Sequence, residues 1–223
     1  LLKISGLQVE THGKMPESGC LLVPNHSGYV DVIALGSLLP CFFVAKAEIS
    51  SWPIIGLLFT STHHISIVRK DHKTLHQVVD AVAQRLKDGH HVVAFLEGTS
   101  TGNDCVLPLK ASLLEAAVKV HAPIIPVGIR WRAHNTNICI KEDVAYWKDH
   151  IFAKHAWRLM GLQGIFAEIS FGKPISSVGI SRGTIRDRLQ REIENLTGLG
   201  QAVVPDEKEP KPPYPLPRQV RPA

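Results

Sequence analysis

His26 and Asp31 stand five residues apart in Asn25-His26-Ser27-Gly28-Tyr29-Val30-Asp31, directly after the apolar run Leu21-Leu22-Val23. A carboxylate at that spacing can accept the imidazole Nδ1–H, fix the tautomer, and leave Nε2 to take a proton from a substrate hydroxyl. This is the outline of a general-base dyad. Spacing alone does not decide the matter, because twelve His and nine Asp among 223 residues give roughly half a chance match to any fixed His-to-Asp spacing. The plainer reading is a helix-capping turn with a solvated histidine.

The elements that must position these residues alternate along the chain. Strands are predicted over 6–10, 20–24, 41–45, 64–68, 91–96, 124–129, 137–141 and 165–171, and helices over 32–39, 52–61, 73–87, 112–121, 150–162 and 184–196. In 73–87 the apolar residues Leu75, Val78, Val79, Val82 and Leu86 recur at three- and four-residue steps, which predicts one buried stripe closed by Gly89. Strand–helix alternation predicts an α/β fold, a sheet covered by helices, with any active site beyond the strand ends, where His26 and Glu97 both fall. The chain has the length of one domain, expected over 1–204. The segment 205–223 holds seven of the fifteen prolines and reads as a solvated, disordered tail.

Further blocks follow the dyad in order: Lys46-Ala47-Glu48, Ile67-Val68-Arg69, Phe95-Leu96-Glu97-Gly98-Thr99, and Ala122-Pro123-Ile124-Ile125-Pro126-Val127-Gly128-Ile129. With the His26 block they resemble, in order and spacing, the 1-acyl-glycerol-3-phosphate acyltransferase family of glycerolipid acyltransferases, over roughly 7–174. The resemblance implies a mixed, largely parallel sheet flanked by helices. It implies transfer of a fatty acyl group from acyl-CoA or acyl carrier protein to the hydroxyl of a lyso-lipid. It gives the base role to His26 and its orientation to Asp31, and roles in substrate binding to Arg69, Glu97, Gly98 and Thr99; Lys46 and Arg69 are cations able to pair with phosphate. No cofactor is expected beyond the acyl thioester co-substrate, and no metal.

One departure bears on the acceptor. Phosphatidate-forming members of the family usually read Phe-Pro-Glu-Gly-Thr-Arg, where this chain has Leu96 and Ser100. The run from Glu97 to Lys110 is more similar to the lyso-ornithine-lipid acyltransferase branch, whose acceptor carries no phosphate. Both lysophosphatidate and lyso-ornithine lipid stay open as acceptors.

Energetics constrain the step. Free imidazole near pKa 6.5 and an alcohol comparable to water at about 15.7 differ by roughly nine units, about 12 kcal/mol if the proton left first. The proton must therefore move as the oxygen attacks, with Asp31 stabilising the imidazolium, and a base so placed contributes about 10² to 10⁴ in rate. Backbone N–H groups at Ser27 and Gly28 are expected as oxyanion donors. An acyl-thioester hydrolase using the same pair on water is the alternative. A non-catalytic basic module ranks below both, since Lys and Arg are dispersed rather than clustered with aromatics, and no nucleic-acid partner is expected.

The net charge of +5 favours anionic partners such as lipid headgroups, CoA or an acidic carrier protein. Cys20, Cys41, Cys105 and Cys139 show no C-x-x-C spacing and read as small core residues of a reduced protein. No apolar run reaches membrane-spanning length. The chain opens Leu1-Leu2-Lys3, and the resemblance implies an upstream anchoring segment, hence a place at the cytoplasmic face of a membrane. Tyr146 to Leu159 mixes two Trp with Lys and Arg like an interfacial helix, although core packing explains it equally well. Three other signals are read plainly. Ser181 in Gly179-Ile180-Ser181-Arg182-Gly183 caps a helix, Ser27 is not a nucleophile, and His72, His76 and Asp80 form a solvated helix face.

Overall fold

The structure is a computed structural model that describes residues 7–46, 64–67, 72–148 and 150–202, with only the backbone of Lys46, Ile67, His72 and Lys73. Its strands are β1 (Leu7–His12), β2 (Leu21–Pro24), β3 (Cys41–Lys46), β4 (Ile65–Ile67), β5 (His91–Ala94), β6 (Ile124–Ala133) and β7 (Ile165–Phe171). Its helices are α1 (Tyr29–Leu38), α2 (His72–Lys87), α3 (Leu114–Val120), α4 (Phe152–Gly161) and α5 (Arg182–Thr197). The strands form one sheet in the order β1-β7-β6-β2-β5-β3-β4, parallel except where β6 meets β7.

Side-chain alternation along β2 divides the core between the two faces of the sheet. Leu21 and Val23 pack with Val78, Val82 and Leu86 of α2, Leu114 of α3 and Leu189 of α5. Leu22 faces the opposite layer, with Val30, Ala34 and Leu35 of α1 and Leu159 of α4. The stripe predicted for α2 is buried at Val78, Val79, Val82 and Leu86 and part-buried at Leu75, and Gly89 follows the helix at φ 81, a conformation that favours glycine. Ser181 caps α5, its hydroxyl accepting the Thr184 N–H at 3.2 Å.

Three expectations change. The strand predicted over 137–141 does not form; a turn there leads into a π-helical turn, Ile140–Val144, which Asp143 caps by accepting the Cys139 N–H at 2.8 Å. Strand β6 runs four residues past Ile129, because Arg130 to Ala133 pair with β7 and Arg132 meets Glu168 at 2.7 Å. Cys20 is buried and Cys139 exposed, so the four thiols are not all core residues. The predicted helix 52–61 and the tail 205–223 lie outside the described residues.

Candidate active site

Strand β2 sits at the centre of the sheet, and the chain leaves it at Asn25 to enter α1. Beside that exit, β6 continues past the last β2–β6 pair, Pro24 with Val127. Its backbone would be left unpaired there if side chains did not take the place of the missing strand. Asn25 does so: its amide donates to Ile129 O at 2.9 Å, and its carbonyl oxygen accepts the Ile129 N–H at 2.7 Å. Asn103 carries the edge further, its Oδ1 accepting the Trp131 N–H at 3.0 Å while its Nδ2 donates to Ser27 Oγ at 2.8 Å. Two asparagines thus weld the loop 25–28 to the sheet.

His26 and Asp31 meet in that loop, with Nδ1 and Oδ2 2.9 Å apart. Asp31 is fully buried in the first turn of α1, and its Oδ2 also accepts the Ser27 and Gly28 N–H groups at 2.6 and 3.0 Å. Its other oxygen, Oδ1, accepts the indole N–H of Trp131 at 2.8 Å. Helix capping and histidine orientation, opposed as readings of the sequence, are therefore carried out by one carboxylate. Four donors around a buried acid stabilise its charged form, as burial requires. With an acid accepting at Nδ1, Nε2 is the nitrogen left to accept a proton. The His26 side chain is 20% exposed, one ring face lies on Phe95 at 3.9 Å between centroids, and Nε2 has no hydrogen-bond partner among the described residues.

This geometry removes one expectation. The Ser27 and Gly28 N–H groups donate to Asp31 and are not available to an oxyanion. Ser27 is fully buried with its hydroxyl held by Asn103, which excludes it as a nucleophile. Gly28 lies at φ 140, and a Cβ there would stand 2.7 Å from Cβ of Tyr146, so the turn admits no side chain.

Glu97 follows β5 and is 4% exposed. Its Oε1 accepts the His26 N–H at 2.7 Å and its Oε2 the Leu107 N–H at 2.8 Å. Burial pushes its carboxyl up to about 8, against the opposing pull of those two N–H groups. Both oxygens being occupied by main chain, Glu97 braces the histidine loop. Gly98 turns the chain at φ 80, Thr99 is exposed, and the Ser100 hydroxyl donates to Tyr146 O at 2.7 Å. Of the residues implied for substrate binding in this turn, Thr99 is the one whose side chain reaches solvent. The Lys46 side chain and all of Arg69 lie outside the described residues.

Sequence reasoning missed Trp131, Asn103 and Asn25 as site residues. A signal existed for the first: Ile129-Arg130-Trp131-Arg132 keeps the period of two, which puts Trp131 on the sheet face that α1 covers. Asp80, on the helix face read as solvated, is paired with Lys119 at 2.8 Å. Among the described residues, no helix is long and apolar enough to cross a membrane.

A model of the family described as Acyltransferase matches residues 6–130, and the chain belongs to that family. Among curated relatives, it is 32% identical over 182 residues to a lyso-ornithine lipid O-acyltransferase of Rhodobacter capsulatus, covering 77% of this chain and 63% of that protein. A protein of the same name from Brucella abortus is 31% identical, covering 86% and 75%. A 1-acyl-sn-glycerol-3-phosphate acyltransferase of Neisseria gonorrhoeae is 24% identical, covering 92% and 76%. The chain therefore spans less than two thirds of the Rhodobacter relative. The fold is that of the 1-acyl-sn-glycerophosphate acyltransferase PlsC from Thermotoga maritima, with a TM-score of 0.63, 20% identity, and 86% and 71% of the two chains covered.

Proposed function

We propose that this chain is the catalytic part of a lyso-lipid O-acyltransferase of membrane lipid synthesis, working at the cytoplasmic face of a membrane. The acceptor hydroxyl attacks the carbonyl carbon of an acyl thioester, acyl-CoA or acyl carrier protein, as His26 Nε2 takes its proton. The C–S bond then breaks, and the departing thiolate recovers a proton from the imidazolium that Asp31 stabilises. The observation that carries this reading is the buried, four-donor Asp31 holding Nδ1 of an imidazole whose Nε2 is unengaged among the described residues.

The acceptor we favour is lyso-ornithine lipid. Ser100 stands where phosphatidate-forming members carry arginine, its hydroxyl is committed to Tyr146 O, and three relatives above 30% identity bear that name. Incubation with labelled acyl-CoA or acyl carrier protein and a panel of lyso-lipids, read by product mass, tests it. An acylated lyso-ornithine lipid is expected; acylated lysophosphatidate alone would overturn the acceptor, and release of free fatty acid without any acylated lipid would overturn transfer in favour of hydrolysis.

A further inference from the structure

We propose that the outward face of α4 is the surface on which this protein meets an anionic lipid bilayer. The proposal deepens the functional reading above by naming which part of the molecule touches lipid. Five large apolar side chains are exposed among the described residues, and three of them, Ile151, Trp157 and Met160, belong to α4 or its N-cap. The helix buries His155 beside Tyr29 and Tyr146, and Leu159 in the core layer that includes α1. At 100° per residue, Ala153, Trp157 and Met160 fall at i, i+4 and i+7 on the opposite side. Trp157 is 78% exposed, a large indole held in water by a helix that has already buried its other face.

Lysines flank this stripe in sequence. Lys148, three residues before Ile151, and Lys154 on α4 are exposed, Lys148 lying over the Trp147 ring at 3.9 Å, and among the described residues neither is paired with an acid; Glu142 is the exposed acid near the start of the helix. Arg158 is committed to Asp143 at 2.6 Å and does not count. An exposed Trp with flanking lysines matches the layering of a bilayer surface, where an indole settles at headgroup level and ammonium groups meet anionic lipid. A second protein copy fits less well, because a stable protein interface needs on the order of 1,000 Å², far more than one narrow stripe supplies.

The stripe is also mechanically close to the chemistry. The Tyr29 hydroxyl lies 2.9 Å from His155 Nδ1, and the Tyr29 ring meets Phe152 edge-on at 5.2 Å between centroids. Tyr29 opens α1, three residues beyond His26, so α4 is fastened to the loop that holds the dyad.

Vesicle flotation of the full chain tests the surface, with phosphatidylcholine vesicles containing or lacking phosphatidylglycerol. Binding to the anionic vesicles is expected, weakened by salt. Trp157→Ala with Met160→Ala should lower the partition coefficient about tenfold. Lys148→Glu with Lys154→Glu should lower it about tenfold on anionic vesicles and leave neutral ones unaffected. Parent-like partitioning of the Trp157 and Met160 variant would overturn the proposal. So would a parent that ignores anionic vesicles, or a variant that loses a dimer in sedimentation while keeping vesicle binding. Transfer between a water-soluble short-chain thioester and dispersed lyso-lipid should match the parent in both variants. If the parent fails in that arm alone, the reaction assignment falls and the vesicle result still judges the surface.

Discussion

Two buried carboxylates grip the same loop from opposite sides, and they are provided for very differently. Asp31 receives the imidazole, two backbone N–H groups and the Trp131 indole, whereas Glu97 receives two backbone N–H groups and no side chain. On the proposed mechanism the first must hold a charge while an imidazolium forms and disappears beside it, and four donors suit that demand. The second is supplied as a brace, and the burial that pushes its carboxyl up to about 8 leaves it largely protonated at neutral pH. The difference between the two acids is one of donor supply.

The sharpest way to break the contrast is to remove what Asp31 orients. His26→Ala should reduce transfer by about 10³-fold or more with an unchanged melting temperature; a rate within a few-fold of the parent would remove the imidazole from the reaction. Asp31→Asn should cost about 10³-fold in kcat and also lower the melting temperature, because an amide NH₂ must oppose either the backbone donors or the indole. Trp131→Phe leaves one buried carboxylate oxygen unpaired, at a cost of about 1–3 kcal/mol in stability, and a looser carboxylate should lower kcat about tenfold with KM little changed. Unaltered kcat in that variant would make the indole a packing residue only.

Glu97 predicts a smaller effect with a distinctive dependence on pH. A carboxyl raised from 4.5 to about 8 keeps its proton in the folded protein while the unfolded chain has released it. Unfolding then liberates a proton, so stability from this group falls as pH rises from about 4.5 to about 8 and is level outside that window. Urea midpoints measured across the window should show this slope in the parent and lack it in Glu97→Gln. Parallel slopes in the two proteins would mean that Glu97 titrates as an ordinary acid.

The dyad was legible in the sequence because both members lie on one short turn, so their meeting needs only local geometry. The α2 stripe and the Ser181 cap were legible for the same reason. Trp131 and Glu97 were not legible in their actual roles, since each reaches the loop from a different strand and their contacts exist only once the sheet order is known. The resemblance implies substrate binding at Glu97, and a turn in sequence does not reveal that the side chain points inward. Asn25 and Asn103 were passed over because an amide that replaces a missing strand has no periodic signature. The exposed Trp157 was undecided for the converse reason: an amphipathic segment with two indoles does not state which one the sheet will cover, and here Trp147 is half-buried with its N–H donated to Lys141 O.

Asp31 reaches its indole across 100 positions of chain, and the His26 N–H reaches Glu97 across 71. Contacts of such separation are the slow ones to assemble, because chain entropy must be lost before they return any stabilisation. During refolding, then, helical signal and collapse should recover before the turn from Asn25 to Asp31 acquires its final geometry, and regain of acyl transfer should trail every spectroscopic probe of secondary structure.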